Sequence, residues 1–493
     1  MNKNSISLID SIIPIIILIG LLALNVFLYG DGSLDGANQL ALLLGTGVAV
    51  VIGLKNKIDW NHILKGISKS ISATTPALII LLLIGALAGT WLISGIVPSM
   101  IYYGLQILNP KIFLFASCII CAIVSLASGS SWSTIATVGI ALLGIGDALE
   151  ISTGMVAGSI ISGAYFGDKL SPLSDTTNLA PAMAGTDLFT HIRYMLYTTV
   201  PSYIITLVIF LFIGFSIDTT VSNNDIEVLL QTLNQSFHIT PWLFLVPAIL
   251  FILIIKKVPS IPALLVGALL GGIFAIIFQP DIIKQIADTG ASFVKSHPFE
   301  VFTGIELQYL KASYMGVINA MGNSTSIVTD NAMMNDLLSS GGMYGMLNTI
   351  WLIICAMCFG GAMEAIGALK KISQSIIRYA ESTGSLIAAT ACTCLFFNTT
   401  ASDQYLSIVV PGKMYSDAFR KKNLAPENLS RTLEDSGTVT SVLVPWNTCG
   451  ATQSGVLGVA TIIYLPFCFF NIISPIMTVI YGYFDIKIRR IKD

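Results

Sequence analysis

Long apolar runs alternate with short polar breaks along this chain. In the first half the runs fall at about 7–29, 40–54, 76–97 and 194–215. Such continuous runs, mostly near 20 residues, read as helices crossing a hydrocarbon core, whereas a β-barrel shows short alternating segments. Stretch 60–72 is amphipathic and carries Lys65 and Lys69, so it is expected to lie at the membrane interface. Two more runs are too short to span, 112–126 and 151–166, and each meets a polar break. The first break reads Ser128-Gly129-Ser130-Ser131-Trp132-Ser133-Thr134, with a return arm over 134–146. The second runs from Gly167 through Asp168, Lys169, Pro172, Ser174, Asp175, Thr176 and Thr177 to Asn178.

The second half repeats this order. Runs at 242–255, 262–278 and 347–369 precede a short pair, 386–397 and 405–419, around Asn398-Thr399-Thr400-Ala401-Ser402-Asp403-Gln404. A broken run follows, 429–443 and 448–464, around Val444-Pro445-Trp446-Asn447-Thr448-Cys449-Gly450, and 466–483 closes the chain. Ser131 and Asp403 stand 272 positions apart, as do Asp175 and Asn447, Gly89 and Gly361, and Gly95 and Gly367. Matched Gly/Pro-rich interruptions in two halves of a membrane chain point to a secondary transporter. The expected fold is an all-α polytopic membrane protein of two inverted repeats, each with a re-entrant hairpin and a broken transmembrane helix. About 10 spans and 2 hairpins are expected. The first repeat is 1–216, with its hairpin at 112–146 and broken helix at 151–185. A linker covers 217–239. The second repeat is 240–493, with an extramembrane insertion at 281–341, a hairpin at 386–419 and a broken helix at 429–464.

The 493 residues are 54% hydrophobic and 11% charged, with mean hydropathy +0.81, which excludes a soluble globular protein. A net charge of −2 and the lack of a basic stretch give no sign of nucleic-acid binding. The eight cysteines sit in apolar runs and read as small hydrophobes, despite two CxxC spacings. No cleavable signal peptide is expected, because 12–27 lacks a small-residue cleavage site and reads as the first span. The four histidines fall near loops or span ends and read as surface residues.

Positive charge sets the orientation. Lys55, Lys57, Lys65, Lys69, Arg193, Lys256, Lys257, Lys370, Lys371, Arg378, Arg420, Lys421, Lys422, Arg431, Lys487, Arg489, Arg490 and Lys492 can share the cytoplasmic side only if both short pairs are re-entrant. The first hairpin then enters from outside, beside Asp147 and Glu150, and the second from the cytoplasm. Both termini are cytoplasmic. The acidic tracts 31–35 and 218–227 and the insertion fall outside.

Unpaired backbone groups at membrane depth must be satisfied by protein or water. The hairpin tips and breaks are therefore expected to meet around a polar cavity. Its expected ion- or substrate-binding residues are Ser130, Ser131, Ser133, Asp168, Ser174, Asp175, Thr176, Thr177, Asn178, Thr400, Ser402, Asp403, Asp435, Asn447 and Thr448. Hard cations take oxygen ligands, and sodium is assigned to Asp175 and Asp403. Intramembrane ionisable groups are functional candidates, so Asp175, Asp403, Asp435 and Glu364 are the proton-coupling candidates. The competing reading for Asp175 and Asp403 is helix capping, and for Asp168 a salt bridge with Lys169. Of Glu434 and Asp435, one is expected to face the cavity while the other pairs with Arg431. Trp132 and Trp446 are read as packing residues.

The runs Gly129–Thr134, Gly163–Asn178, Asp435-Ser436-Gly437 and Val444–Gly450 resemble the NhaC family of sodium/proton antiporters. The resemblance covers nearly the whole chain. It implies membership of the wider ion-transporter superfamily, built on paired hairpins and broken helices. The implied function is sodium/proton antiport by alternating access at a shared carboxylate site. Related exchangers couple the same ions to malate and lactate, which is the alternative. No enzyme activity and no cofactor are expected beyond transported sodium and protons. The expected partners are those ions, small carboxylates in the alternative, the lipid bilayer of a bacterial cell and a second copy of the chain. A distant alternative is an intramembrane aspartyl protease, because Gly144-Ile145-Gly146-Asp147 matches GxGD with Tyr165–Asp168 nearby.

Overall fold

The computed structural model describes residues 6–29, 32–33, 35–107, 109–217, 223–256, 258–290, 305–329, 335, 338–377 and 380–491. Asp31, Asp218, Lys257, Arg378, Lys492 and stretch 291–304 of the insertion, all used above, lie outside them. The chain is an all-α polytopic membrane protein. Among the described residues eight helices are long and apolar enough to cross a membrane, or up to ten if each of two bent pairs is one span.

Helices α1 (Leu8–Tyr29) and α2 (Ala37–Lys55) pack together, and Lys55 pairs with Asp10 at 2.9 Å. Helix α3 runs unbroken over Trp60–Ile93, so the expected interfacial helix and third span are one element of 34 residues. Pro76 sits inside it. Proline deletes one helical hydrogen bond, but ending the helix at membrane depth would orphan several more. Next come α4 (Ile96–Ile107), α5 (Pro110–Ser128) and α6 (Ser131–Ala148), the last containing a π-helical turn at Ile135–Gly139. At 19 residues α5 is longer than the apolar run alone suggested and reaches about 28 Å. Asn109 caps it and Pro110 opens it, which adds the first turn.

Helix α5 packs along α7 (Thr153–Leu170), with small residues at the contact. A Cβ on Gly163 would lie 2.1 Å from the Cys118 carbonyl oxygen, and one on Gly167 2.3 Å from that of Ala122. Close approach of this kind is how helices pack where lipid tails compete. The chain then forms α8 (Asp175–Ala184) and the 29-residue α9 (Leu188–Ser216).

Helix α10 (Asn223–Ser236) leads to α11 (Leu245–Ile255) and α12 (Ser260–Phe278). The insertion contributes α13 (Pro280–Gly290), α14 (Ile305–Gly322) and a two-residue antiparallel pair, Thr325–Ser326 with Ser339–Ser340. Helix α14 lies against α3 and α12: a Cβ on Gly89 would meet Ala320 O at 1.8 Å, and one on Gly272 would meet Val317 at 2.7 Å. Helices α15 (Leu347–Ala365) and α16 (Ala368–Ile377) follow. Gly95 and Gly367, matched in the sequence, both turn the chain with φ +78° and +76°. Then come α17 (Thr383–Thr400), α18 (Gln404–Lys421) and α19 (Pro426–Leu433), which runs into a π-helical turn at Glu434–Thr438. Helix α20 (Thr448–Leu457) is bent by 91° from the next helical piece, and α21 (Phe469–Tyr483) is the last helix.

Contacts fix how the two helical hairpins stand. The arms α5 and α6 come back together at their far ends, since a Cβ on Gly146 would lie 3.1 Å from the Phe113 ring. The arms α17 and α18 do the same, with Lys422 Nζ donating to the Glu381 carbonyl. Helix α9 touches both bases at its opposite ends. Near its start Tyr194 bonds Asn428 and the Lys487 carbonyl, beside the second base, where Ala425 N donates to Arg489 O at 3.0 Å. Near its finish a Cβ on Gly214 would meet Lys111 O at 2.1 Å, at the first base. The hairpins thus point at each other from opposite ends of a helix about 43 Å long.

Candidate functional site

Four helices begin where the hairpin tips meet the breaks. Each is capped by a side chain that accepts from its first turn. Ser130 takes Ser133 N at 3.2 Å for α6, and Ser174 takes Thr177 N at 3.5 Å for α8. Asp403 takes Leu406 N at 2.9 Å for α18, and Asn447 takes Cys449 N at 3.0 Å for α20. Polar residues sit here because each break exposes N–H groups that need acceptors. Both tips turn through a left-handed residue, Gly129 (φ +70°) and Ser402 (φ +58°).

Each tip is bonded to the broken helix of its own half. Asp168 accepts from Ser131 N at 3.1 Å and Ser131 Oγ at 2.6 Å. Thr448 N donates to Ser402 O at 3.0 Å, and Asn447 Nδ2 to Asn398 O at 2.9 Å. Trp446 is more than packing, because its indole N–H donates to Thr399 O at 2.7 Å.

These pieces enclose a cavity of about 830 Å³. Ser130, Ser131, Ser133, Asp168, Ser174, Asp175, Thr176, Asn178, Asp403 and Thr448 line it, from both halves. Tyr405 and Cys449, on or beside the breaks, line it too, as does Thr74 on α3, which carried no sequence signal. Among the described lining residues none is Lys, Arg or His. The cavity reaches the Val258–Ser260 turn and the exposed side chains of Asp175 and Asn178, at the end of the molecule that holds the second hairpin base. Asp175 is the first residue of α8, and Ser174 rather than Asp175 is its cap. Asp403 both caps α18 and faces the cavity.

Four expected residues stand behind the wall. Thr177 Oγ1 donates to Lys169 O at 3.0 Å and Thr400 Oγ1 to Phe396 O at 2.6 Å, while Ser402 and Asn447 bind the tip to α20. Asp435 is occupied elsewhere. It forms a fully buried ion pair with Lys169, and Thr198 Oγ1 donates to its other oxygen at 2.8 Å. Lys169 therefore does not pair with Asp168, its sequence neighbour: on a helix adjacent residues point to different faces. Glu434 does not pair with Arg431 either. Its Oε1 accepts from Thr176 Oγ1 at 3.1 Å, while Arg431 stacks on Tyr194 with its guanidinium carbon 4.5 Å from the ring centre. Glu364 is exposed near the end of α15 and does not line the cavity. His191, expected at the surface, is buried, with Nδ1 2.8 Å from Ser430 Oγ.

The protease alternative fails on geometry. Asp147 lies 16 residues along α6 from its start at the tip, about 24 Å, so it does not face Asp168. All eight cysteines are free, and no group of three or more His, Cys, Asp or Glu side chains is placed to hold a metal ion among the described residues.

The sequence profile of the Na+/H+ antiporter family matches residues 163–304 and 301–486, which include the Gly167–Asn178 and Val444–Gly450 breaks and the second hairpin. The chain belongs to this family. The Na(+)/H(+) antiporter NhaC of Alkalihalophilus pseudofirmus is 38% identical over 90% of this chain and 89% of its own length. The malate-2H(+)/Na(+)-lactate antiporter of Bacillus subtilis is 36% identical over 91% and 90%. The arginine/ornithine antiporter ArcD of Halobacterium salinarum is 33% identical over 96% and 91%. All three are named as antiporters, and their cargoes differ.

Proposed function

We propose that this family member exchanges sodium for protons across a cell membrane by alternating access. One observation carries the reading: a cavity at the meeting of two opposed hairpin tips holds three carboxylates, Asp168, Asp175 and Asp403, and no cationic side chain among its described lining residues. The relatives named as sodium/proton antiporters support the ions. Sodium takes oxygens from Asp175 and Asp403, with hydroxyls such as Ser131 and Thr448 beside them. Ionising Asp168 and Asp403, which are buried, is costly. A proton or a sodium ion relieves that cost, and the two compete. If the empty, charged cluster crosses poorly, sodium moving one way obliges protons to move the other.

Orientation follows from the basic residues. The end that carries Lys55, Lys421 and Arg489 is taken as cytoplasmic, so the described cavity is the inward-open state. The two halves, 1–216 and 240–493, then act as inverted repeats whose exchange of conformations opens the other side. The test is flux in proteoliposomes: a sodium gradient should drive protons in the opposite direction.

A second reading has its own observation. Four helix N-termini open on the cavity, and its volume of about 830 Å³ far exceeds a sodium ion. Helix N-termini favour anions. A small carboxylate such as malate or lactate therefore fits beside sodium, and proton flux that required one would select this reading.

A further inference from the structure

The geometry points to Glu434 as the proton-carrying carboxyl of the exchange, set behind the cavity wall and joined to it by two hydroxyls. This rests on the sodium/proton reading above and adds to it a residue outside the sodium cluster.

Glu434 is fully buried at the first position of the π-helical turn in the second broken segment. Its Oε1 accepts from Thr176 Oγ1 at 3.1 Å, and Thr176 Oγ1 lies 3.2 Å from Ser174 Oγ. Both hydroxyls line the cavity. Its other oxygen, Oε2, is buried without a hydrogen-bond partner. That oxygen separates Glu434 from its neighbour: Asp435 has Lys169 on one oxygen and Thr198 on the other. Asp435 has both oxygens bonded, and Lys169 has its countercharge already. Glu434 has only neutral hydroxyls beside it, Thr176 bonded to Oε1 and Thr438 one helical turn on, and no cation bonded to it.

A buried carboxylate with an orphaned oxygen is several kcal/mol worse off than the neutral acid. The groups facing Glu434 do not undo this. Lys169 and Asp168 face it from α7 and Cys394 from α17, while the packed helices α8 and α18 carry Asp175 and Asp403 at their starts and Arg431 lies one turn back on α19. His191 and Tyr194 lie on α9, while α21 brings only tyrosines near its end. Lys169 is held by Asp435, and Arg431 is turned onto Tyr194. The acids oppose a further negative charge. Glu434 is therefore protonated while the cavity is empty. Sodium on the wall carboxylates removes that opposition, and the proton leaves. The Thr176 hydroxyl rotates from Glu434 to donate to Ser174 Oγ, and the protonated Glu434 oxygen then donates to Thr176 Oγ1. The proton passes from Glu434 to Thr176 Oγ1 as the Thr176 proton moves to Ser174 Oγ and the Ser174 proton to cavity water. Reprotonation retraces the steps.

The test uses purified full-length protein in detergent, with a pH dye and a direct sodium-binding assay. Wild type should release protons when sodium is added, and its sodium affinity should weaken as pH falls. Glu434→Gln keeps shape and hydrogen bond but cannot titrate. It should lose at least half of the released protons and flatten the pH dependence by about tenfold per unit, with alkaline sodium affinity within threefold of wild type. Wild-type release and pH dependence in this variant would overturn the proposal. Infrared difference spectra of the wild type give a second reading if Glu434→Gln does not fold. A protonated carboxyl band should vanish on sodium addition, and Thr176→Val should shift it by removing its hydrogen-bond donor. A band that Thr176→Val leaves in place is not Glu434 and also overturns the proposal. If wild type itself releases no protons with sodium, the exchange reading fails first and takes this one with it.

Discussion

Removing Lys169 should do more damage than removing Lys169 and Asp435 together. Both side chains are wholly buried, and the pair joins the broken segments of the two halves. Lys169→Met leaves Asp435 with hydroxyl donors only, Thr198 at 2.8 Å and Ser474 at 3.5 Å. Breaking a buried pair from one side costs about 3–5 kcal/mol, because the remaining charge is stranded. At about 1.4 kcal/mol per tenfold, that lowers the folded-to-unfolded ratio by roughly two to three and a half orders of magnitude. Asp435→Leu strands Lys169 instead and should cost a similar amount. The double change Lys169→Met/Asp435→Leu removes both charges and should recover most of the loss, since apolar replacement of a buried pair is often neutral. Steric-trapping or denaturant equilibria in bicelles, read as a double-mutant cycle, measure the coupling. Single variants within about 1 kcal/mol of wild type, or a double variant as poor as the sum of both, would refute the claim that a stranded charge sets the cost.

Asp175→Asn and Asp403→Asn keep size and an acceptor but remove charge. Both should insert and fold, because in Asp403→Asn the new amide oxygen can still accept from the Leu406 N–H that the carboxylate now caps. Both should nonetheless lose sodium-driven proton movement in vesicles; wild-type exchange in both would assign these residues to capping alone. Gly163→Ala places a methyl about 2.1 Å from the Cys118 carbonyl and must push α5 from α7, so it should lower stability by about 1–3 kcal/mol in a thermal melt, against no change if the helices part freely. Single cysteines at Glu227 and Lys421 should label from opposite sides of the membrane, Lys421 from the cytoplasm; labelling of both from one side would break the topology.

Much of this site was legible because a break in a membrane helix must be polar. The matched pairs Ser131/Asp403 and Asp175/Asn447 fall within one residue of the four caps, Ser130, Ser174, Asp403 and Asn447. Position along the chain could mark the breaks, but it could not tell which neighbour on a buried helix faces the cavity. Glu434 and Asp435 are adjacent acids, and only the packing of α7 shows that Lys169 reaches Asp435 and leaves Glu434 to Thr176. The same holds for His191, whose place near a helix start suggested the surface while Ser430 covers it. Helix lengths were misjudged where apolarity was used as the ruler. Helix α3 runs on through Pro76, and the Asn109-Pro110 start carries α5 past its apolar run.

Proton flux in proteoliposomes of the purified wild type, driven by a sodium gradient with no organic anion present, tests the central claim most directly. The account predicts that protons move against the sodium flow, and that apparent sodium affinity weakens by up to about tenfold per unit fall in pH, since each bound proton costs about 1.36 kcal/mol per unit. Protons that stay still until malate or lactate is added, or sodium binding that ignores pH, would contradict it.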